Sequence, residues 1–240
     1  GPILGRLMSS EPTMTRSLPP FDPRQVPVVS AEDDRLLRPA KPGRLTPQGL
    51  RELFLRPPAW TPELRREPLF ADRSPAHAAV LLPLVMRDEL MLLLTQRTEH
   101  LSTHSGQIAL PGGRMDDSDA DATAAALRET HEEIGLPPDR VEVIGALPEY
   151  ITGTAFIVTP VVGLVQPDIR LRPNPYEVAD VFEVPLSFLM NPAHHRRHRM
   201  QFQGHEREWY SMPFADGPHE RFIWGATAGM LRNLYRLLTA

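Results

Sequence analysis

Arg128-Glu129-Thr130-His131-Glu132-Glu133-Ile134-Gly135-Leu136 follows shortly after Leu110-Pro111-Gly112-Gly113. In a helix, Glu129, Glu132 and Glu133 occupy positions i, i+3 and i+4 and project from one face. Local signals support that helix. Asp121 is a capping residue, Ala122 to Leu127 are mostly strong helix formers, and Gly135 followed by Pro137 and Pro138 marks the stop. Like charges at these spacings each cost a helix roughly 0.2–0.5 kcal/mol, so such a face calls for a cation. Carboxylate oxygens suit Mg²⁺ or Mn²⁺, and Mg²⁺ usually combines one or two carboxylates with waters and a substrate's phosphate oxygens. The implied substrate is therefore a phosphate-bearing small molecule. Upstream, Gly112 and Gly113 let the backbone approach a ligand closely, and a carbonyl there can add a metal ligand. A Glu-rich run alone would read as a solvated acidic face. The Gly-Gly turn and the adjacent Arg128-Glu129 pair argue for a site instead.

These residues resemble the second half of the Nudix box, in which Gly and an upstream Glu precede Arg-Glu, an apolar residue, Glu-Glu and a final Gly. The first half departs from that pattern. Gly113 to Arg128 is one residue too long, Ala120 stands where the first Glu would fall, and Thr130 fills the apolar slot. The flanking text resembles the coenzyme A pyrophosphatase branch of the family. Leu93-Leu94-Thr95-Gln96-Arg97, His104, Gly106-Gln107-Ile108 and Leu110-Pro111-Gly112-Gly113 match its extra signature, with Asp116, Asp119 and Asp121 in place of the missing Glu. Thr152 to Gly163, Asn174-Pro175-Tyr176-Glu177-Val178 and Ile223 to Ala228 are similar too, so the resemblance spans roughly residues 76–235.

The resemblance implies an α/β fold, a mixed β-sheet sandwiched between helices in an α/β/α layout. It implies a hydrolase that cleaves the diphosphate of coenzyme A or its acyl esters to 3′,5′-ADP and 4′-phosphopantetheine. Glu129 and Glu133 are the expected principal metal ligands, with Glu132 as a third ligand or a water-bridged partner. The family's matching Arg orients a box glutamate, which assigns that role to Arg128. A carboxylate outside the box often serves as base, and Glu177 is the first choice, ahead of Glu149 and Glu183. His104 and Gln107 are expected at coenzyme A. Arg97 follows a strand and suits either a phosphate contact or a rim salt bridge. The basic run from His194 to Arg199 reads as a solvated loop or as an attractor of the 3′-phosphate. Two other readings stand beside this one: a Nudix hydrolase of another nucleoside diphosphate derivative such as ADP-ribose, and a ligand sensor that keeps the fold without turnover.

With 240 residues and 41% hydrophobic content, the chain suits one core plus an extension. A net charge of −4 gives no general affinity for nucleic acid or anionic membrane. The absence of cysteine rules out disulfides and thiolate chemistry. No apolar run approaches the length of a membrane helix and the start lacks a signal pattern, which by default predicts a cytoplasmic protein.

Residues 1–45 are rich in Pro and charge and read as an extended arm, which also offers a surface for a homodimer. Residues 46–240 read as the Nudix domain with a short helical extension at its start. Within it, Thr46 caps a helix over 47–54, and Thr61-Pro62 predicts a second brief turn. Strands are expected at 78–86 and 90–96 as a hairpin, then at 141–147, 155–165 and 178–184. A short helix at 185–190, a strand pair at 199–211 and 219–224, and a closing helix over 225–238 complete the order.

Overall fold

The computed structural model describes residues 21–69, 72–99, 106–202 and 204–240. His104 lies outside them. The first strand, β1 (Val28–Val29), and helix α1 (Pro47–Leu55) precede a main sheet. That sheet is built from β2 (Ala76–Met86), β3 (Leu90–Arg97), β4 (Ile108–Ala109), β5 (Gly112–Arg114), β6 (Val141–Ala146), β7 (Tyr150–Ile151), β8 (Phe156–Val165) and β9 (Val178–Pro185). Helix α2 (Ala122–Ile134) falls between β5 and β6, and α3 (Leu186–Leu189) follows β9. Strands β10 (Arg196–Phe202), β11 (His205–Asp216) and β12 (His219–Trp224) lead into α4 (Gly225–Leu238).

The main sheet runs β4-β3-β2-β8-β6, with β5 beside β2, β7 beside β8 and β9 beside β3. Strands β2 and β8 pair in parallel, from Ala76 opposite Phe156 to Val85 opposite Val165, whereas the other pairings are antiparallel, so the sheet is mixed. Central strand β2 is apolar almost throughout because both its faces are covered. Ala79, Leu81 and Val85 meet Ala125, Ala126 and Ile134 of α2, while Ala78, Leu82 and Leu84 belong to the core shared with α1 and α4. The expected α/β/α sandwich is what the chain forms.

Two expectations change. Residues 199–211 are not one strand, because the chain reverses at Gly204 and β10 and β11 form a hairpin paired from Arg196–Ser211 to Phe202–His205. With β1 and β12 they make a separate antiparallel sheet, β1-β10-β11-β12, which packs on α4. The alternation of side chains gives no sign of that reversal, since both arms carry the same polar pattern. Thr61-Pro62 starts no helix; the chain stays extended there, and Arg66 bridges to Ile151.

Residues 21–45 pack on their own chain. Val28 and Val29 pair with His198 and Arg197, the Ala40 N–H donates to Met190 O at 3.0 Å, and the Tyr235 hydroxyl donates to Arg38 O. Asp34 anchors this segment to Arg197 and to Arg232, which is 1% exposed. Beside Arg232, His195 accepts from Nη1 through its Nδ1 at 2.9 Å and lies 2.7 Å from Leu189 O through Nε2, an arrangement that suits the neutral ring. Burial lowers its pKa from 6.5 to about 4, and Arg232 acts in the same direction. Between those values the unfolded chain takes up a proton that the folded one refuses, so stability falls as pH falls through that window. Denaturant titrations should show the stability of wild type relative to His195→Asn falling by up to about 3 kcal/mol from pH 7 to 4. No helix among the described residues is long and apolar enough to cross a membrane.

Candidate active site

Helix α2 begins where Asp121 accepts the Ala124 N–H at 2.8 Å and ends at Gly135, whose left-handed φ of 72° closes the last turn onto His131 O. This frame directs Glu129 and Glu133 at strand β5. A Cβ on Gly112 would lie 2.3 Å from Ala79 O, so only glycine fits there, and one on Gly113 would lie 2.7 Å from Glu129 Cδ and displace that carboxylate. The Gly112 N–H points to Glu133 Oε1 at 3.4 Å.

Glu177 is drawn to the same place by the turn before β9. The Asn174 N–H donates to Glu133 O at 2.7 Å and the Arg172 N–H to Ile134 O at 2.7 Å, which ties this turn to the end of α2. From the other side, Thr98 holds Glu177 O through its N–H and Tyr176 O through its hydroxyl. A register shift between Gln96 and Arg97 lets β9 bend here. Arg221 of β12, 6% exposed, grips that irregularity, donating to Gln96 Oε1 at 2.7 Å and to Asp180 Oδ2 at 2.5 Å.

Burial pushes the Glu133 carboxyl up to about 8; Arg97 opposes this, while the charges of Glu177 and Glu129 add to it. Burial also raises Glu129, against the pull of Arg128 and with the repulsion of Glu132 and Glu177. Glu129, Glu133 and Glu177 therefore share one electrostatic neighbourhood short of positive charge. Glu132, its side chain 59% exposed, stands at the outer edge of this group, 3.3 Å from the same Arg128 Nη1 that meets Glu129. Among the described residues no three carboxylate or imidazole groups close on a metal ion by themselves. The donors nonetheless fit an open Mg²⁺ or Mn²⁺ site, which needs few carboxylates and fills its remaining positions with water and phosphate oxygens. They are oxygen-only and mutually repelling, with Glu133 buried and Glu129 and Glu177 partly so.

Arg128 is a bracket. Its Nε and Nη2 meet both oxygens of Asp119 at 2.8 Å, and its Nη1 meets Glu129 Oε1 at 3.0 Å. Asp119, with its side chain 4% exposed, is held down at about 2 by Arg128 and then by the Asp116 N–H. Of the three aspartates that stand in for the box glutamate, Asp119 is thus the one that meets Arg128, while Asp121 caps the helix. Sequence spacing does not distinguish them. Asp119→Asn should lower turnover of a diphosphate substrate about 10–100-fold by releasing Glu129, with circular dichroism unchanged; wild-type turnover would contradict this bracket.

Among the described residues Arg97 Nε is buried without a hydrogen-bond partner. The Arg97 N–H donates to Gln107 O at 2.8 Å, which sets Gln107 beside it. Glu183 is instead paired with Arg87 at 2.9 Å and Glu149 with His77 at 3.9 Å. The run His194 to Arg199 is not a loop. Most of it lies in or beside β10, where Asp34, Glu206 and Glu208 neutralise Arg197 and Arg199. Thr130, 1% exposed, leaves its hydroxyl unpartnered among the described residues. Thr130→Val should therefore raise unfolding stability by about 1 kcal/mol and leave turnover intact.

The NUDIX domain family model matches residues 75–213. An uncharacterized Nudix hydrolase NudL from Enterobacter sp. (strain 638) is 47% identical over 158 residues, covering 65% of this chain and 80% of that protein. Its namesake from Escherichia coli (strain K12) is 44% identical over 174 residues, covering 72% and 86%. Among solved structures, C. elegans Ap4A hydrolase in a binary complex aligns with a TM-score of 0.40 at 20% identity, over 46% of this chain and 80% of that one. A family match over more than half of the chain, on a box whose glutamates converge on a Gly-Gly turn, makes this chain a member of the Nudix hydrolase family, enzymes that hydrolyse pyrophosphate bonds.

Proposed function

We propose that the protein is a coenzyme A pyrophosphohydrolase, cleaving coenzyme A or its acyl esters to 3′,5′-ADP and the corresponding 4′-phosphopantetheine. The observation that carries this reading is that Arg97, from the branch signature ahead of the box, lies within electrostatic reach of Glu133 and is tied through its backbone to Gln107 of the same signature. Glu129 and Glu133 would hold Mg²⁺ or Mn²⁺. When bound, the ion neutralises phosphoryl charge and makes a bound water acidic near neutral pH. Arg128 fixes the direction of Glu129. Arg97 offers a buried donor to a phosphate oxygen, an interaction that gains strength as charge spreads over those oxygens in the transition state. Glu177 is the group that would take the proton from the attacking water, because it faces the same carboxylates from a separate loop.

The test is a panel of coenzyme A, dephospho-coenzyme A and ADP-ribose at equal concentration with Mg²⁺, with the products identified by mass. Coenzyme A should be consumed fastest, giving 3′,5′-ADP. A clear preference for ADP-ribose would overturn the assignment.

A further inference from the structure

Two arginines share one aromatic ring. Arg73 Cζ lies 4.4 Å and Arg114 Cζ 5.6 Å from the centroid of Phe156, so the two guanidinium carbons are no more than about 10 Å apart. Neither forms an ion pair with a carboxylate among the described residues. Arg73 spends Nε and Nη2 on Thr154 O, at 3.1 and 2.7 Å, which leaves Nη1 for another acceptor. The Arg114 side chain is exposed at the end of β5. An anion that reaches both would balance their charge.

The loop that carries the ring is built to hold it still. Ala155 adopts a left-handed φ of 61°, a costly conformation for a residue with a side chain and one that clusters at ligand-binding sites. Thr152 Oγ1 accepts the Phe156 N–H at 3.1 Å and contacts Thr154 Oγ1 at 2.8 Å. Beneath the loop, Glu67 accepts the Gly153 N–H at 2.8 Å and the Tyr150 hydroxyl at 3.0 Å. Arg73 is thereby fixed on two sides, by the ring and by the Thr154 carbonyl.

Arg114 stands at the edge of the proposed metal ligands: it directly follows Gly113, which packs against Glu129, and its carbonyl lies 3.4 Å from Arg128 Nη2. Because side chains alternate along a strand, Arg114 projects to the face opposite Glu129, where Phe156 joins the core shared with α4.

We propose that Arg73 and Arg114, joined by the Phe156 ring, bind a phosphate monoester of the substrate distinct from the scissile diphosphate. This rests on the coenzyme A reading, in which that group is the 3′-phosphate, separated from the 5′-diphosphate by a single ribose. Two guanidiniums supply the charge and the fork-shaped donors that a phosphate dianion takes up. In the basic run at β10, Arg197 and Arg199 are already neutralised by Asp34, Glu206 and Glu208.

The test compares wild type, Arg73→Gln, Arg114→Gln and the double variant on coenzyme A and dephospho-coenzyme A with Mg²⁺. Each single substitution should raise KM for coenzyme A about tenfold, the worth of one charge-assisted hydrogen bond. KM for dephospho-coenzyme A and kcat on both substrates should stay within about twofold of wild type. Equal losses on both substrates, or no change on coenzyme A, would overturn the inference. Arg114→Gln, on an exposed side chain, keeps the test valid should Arg73→Gln misfold. If wild type turns over neither substrate, the functional reading fails separately, and calorimetry with 3′,5′-ADP against 5′-AMP decides this point. Tighter binding of 3′,5′-ADP that disappears in the Arg114 variant supports the site, and equal binding of the two nucleotides refutes it.

Discussion

Glu133→Gln should lower kcat by about 10²–10³-fold or more, the scale seen when one preorganised electrostatic group is removed from an active site, without weakening the fold. Glu133 is 7% exposed, and its charge is opposed by burial and by Glu177 and Glu129. An amide keeps the shape and can still accept the Gly112 N–H, but it discards the charge that the fold penalises and that a cation requires. The melting temperature of the variant should equal or exceed that of wild type. Turnover measured beside thermal unfolding separates a lost ligand from a damaged fold, and full turnover would remove Glu133 from the chemistry.

The largest effect on stability is expected at Arg232, far from the carboxylates. Its guanidinium meets Glu63 Oε1 at 3.0 Å, Asp34 Oδ1 at 2.9 Å and His195 Nδ1 at 2.9 Å, and lies 4.5 Å from the centre of the Tyr210 ring. Arg232→Ala empties a buried volume, leaves Asp34 and Glu63 with only Arg197 and Arg236 as cations and takes the donor from His195 Nδ1, which should cost about 3 kcal/mol. The exposed pair Arg140–Asp168, at 2.9 Å, is the comparison. Arg140→Ala should cost under about 1 kcal/mol. Denaturant unfolding of both variants checks this, and similar losses in the two would contradict the importance given to burial.

Helix α2 was legible because everything that defines it is local: the Asp121 cap, the Gly135 stop and the spacing of Glu129 and Glu133. The closeness of Gly113 to Glu129 was legible for a related reason, since a Gly-Gly pair before such a helix announces tight approach. The link between Glu177 and the box was suggested only by family resemblance, because it depends on a strand irregularity, on Asn174 bonding back to α2 and on Thr98 holding the turn. None of these has a sequence period. Asp119 was one of three candidates until geometry placed it against Arg128. The basic run at β10 misled because the acids that neutralise Arg197 include Asp34, 163 residues away in the chain. Charge patterns along a sequence do not show pairings made across a fold. The β10–β11 reversal was hidden for a simpler reason, two polar strands of one period meeting at a single glycine.

The central claim is that Glu129 and Glu133, beside the Gly-Gly turn, gather a divalent ion. Calorimetric titration of Mn²⁺ into wild type and into the double variant Glu129→Gln/Glu133→Gln tests it most directly. Wild type should show saturable binding that the variant lacks, and superimposable isotherms for the two proteins would contradict the account.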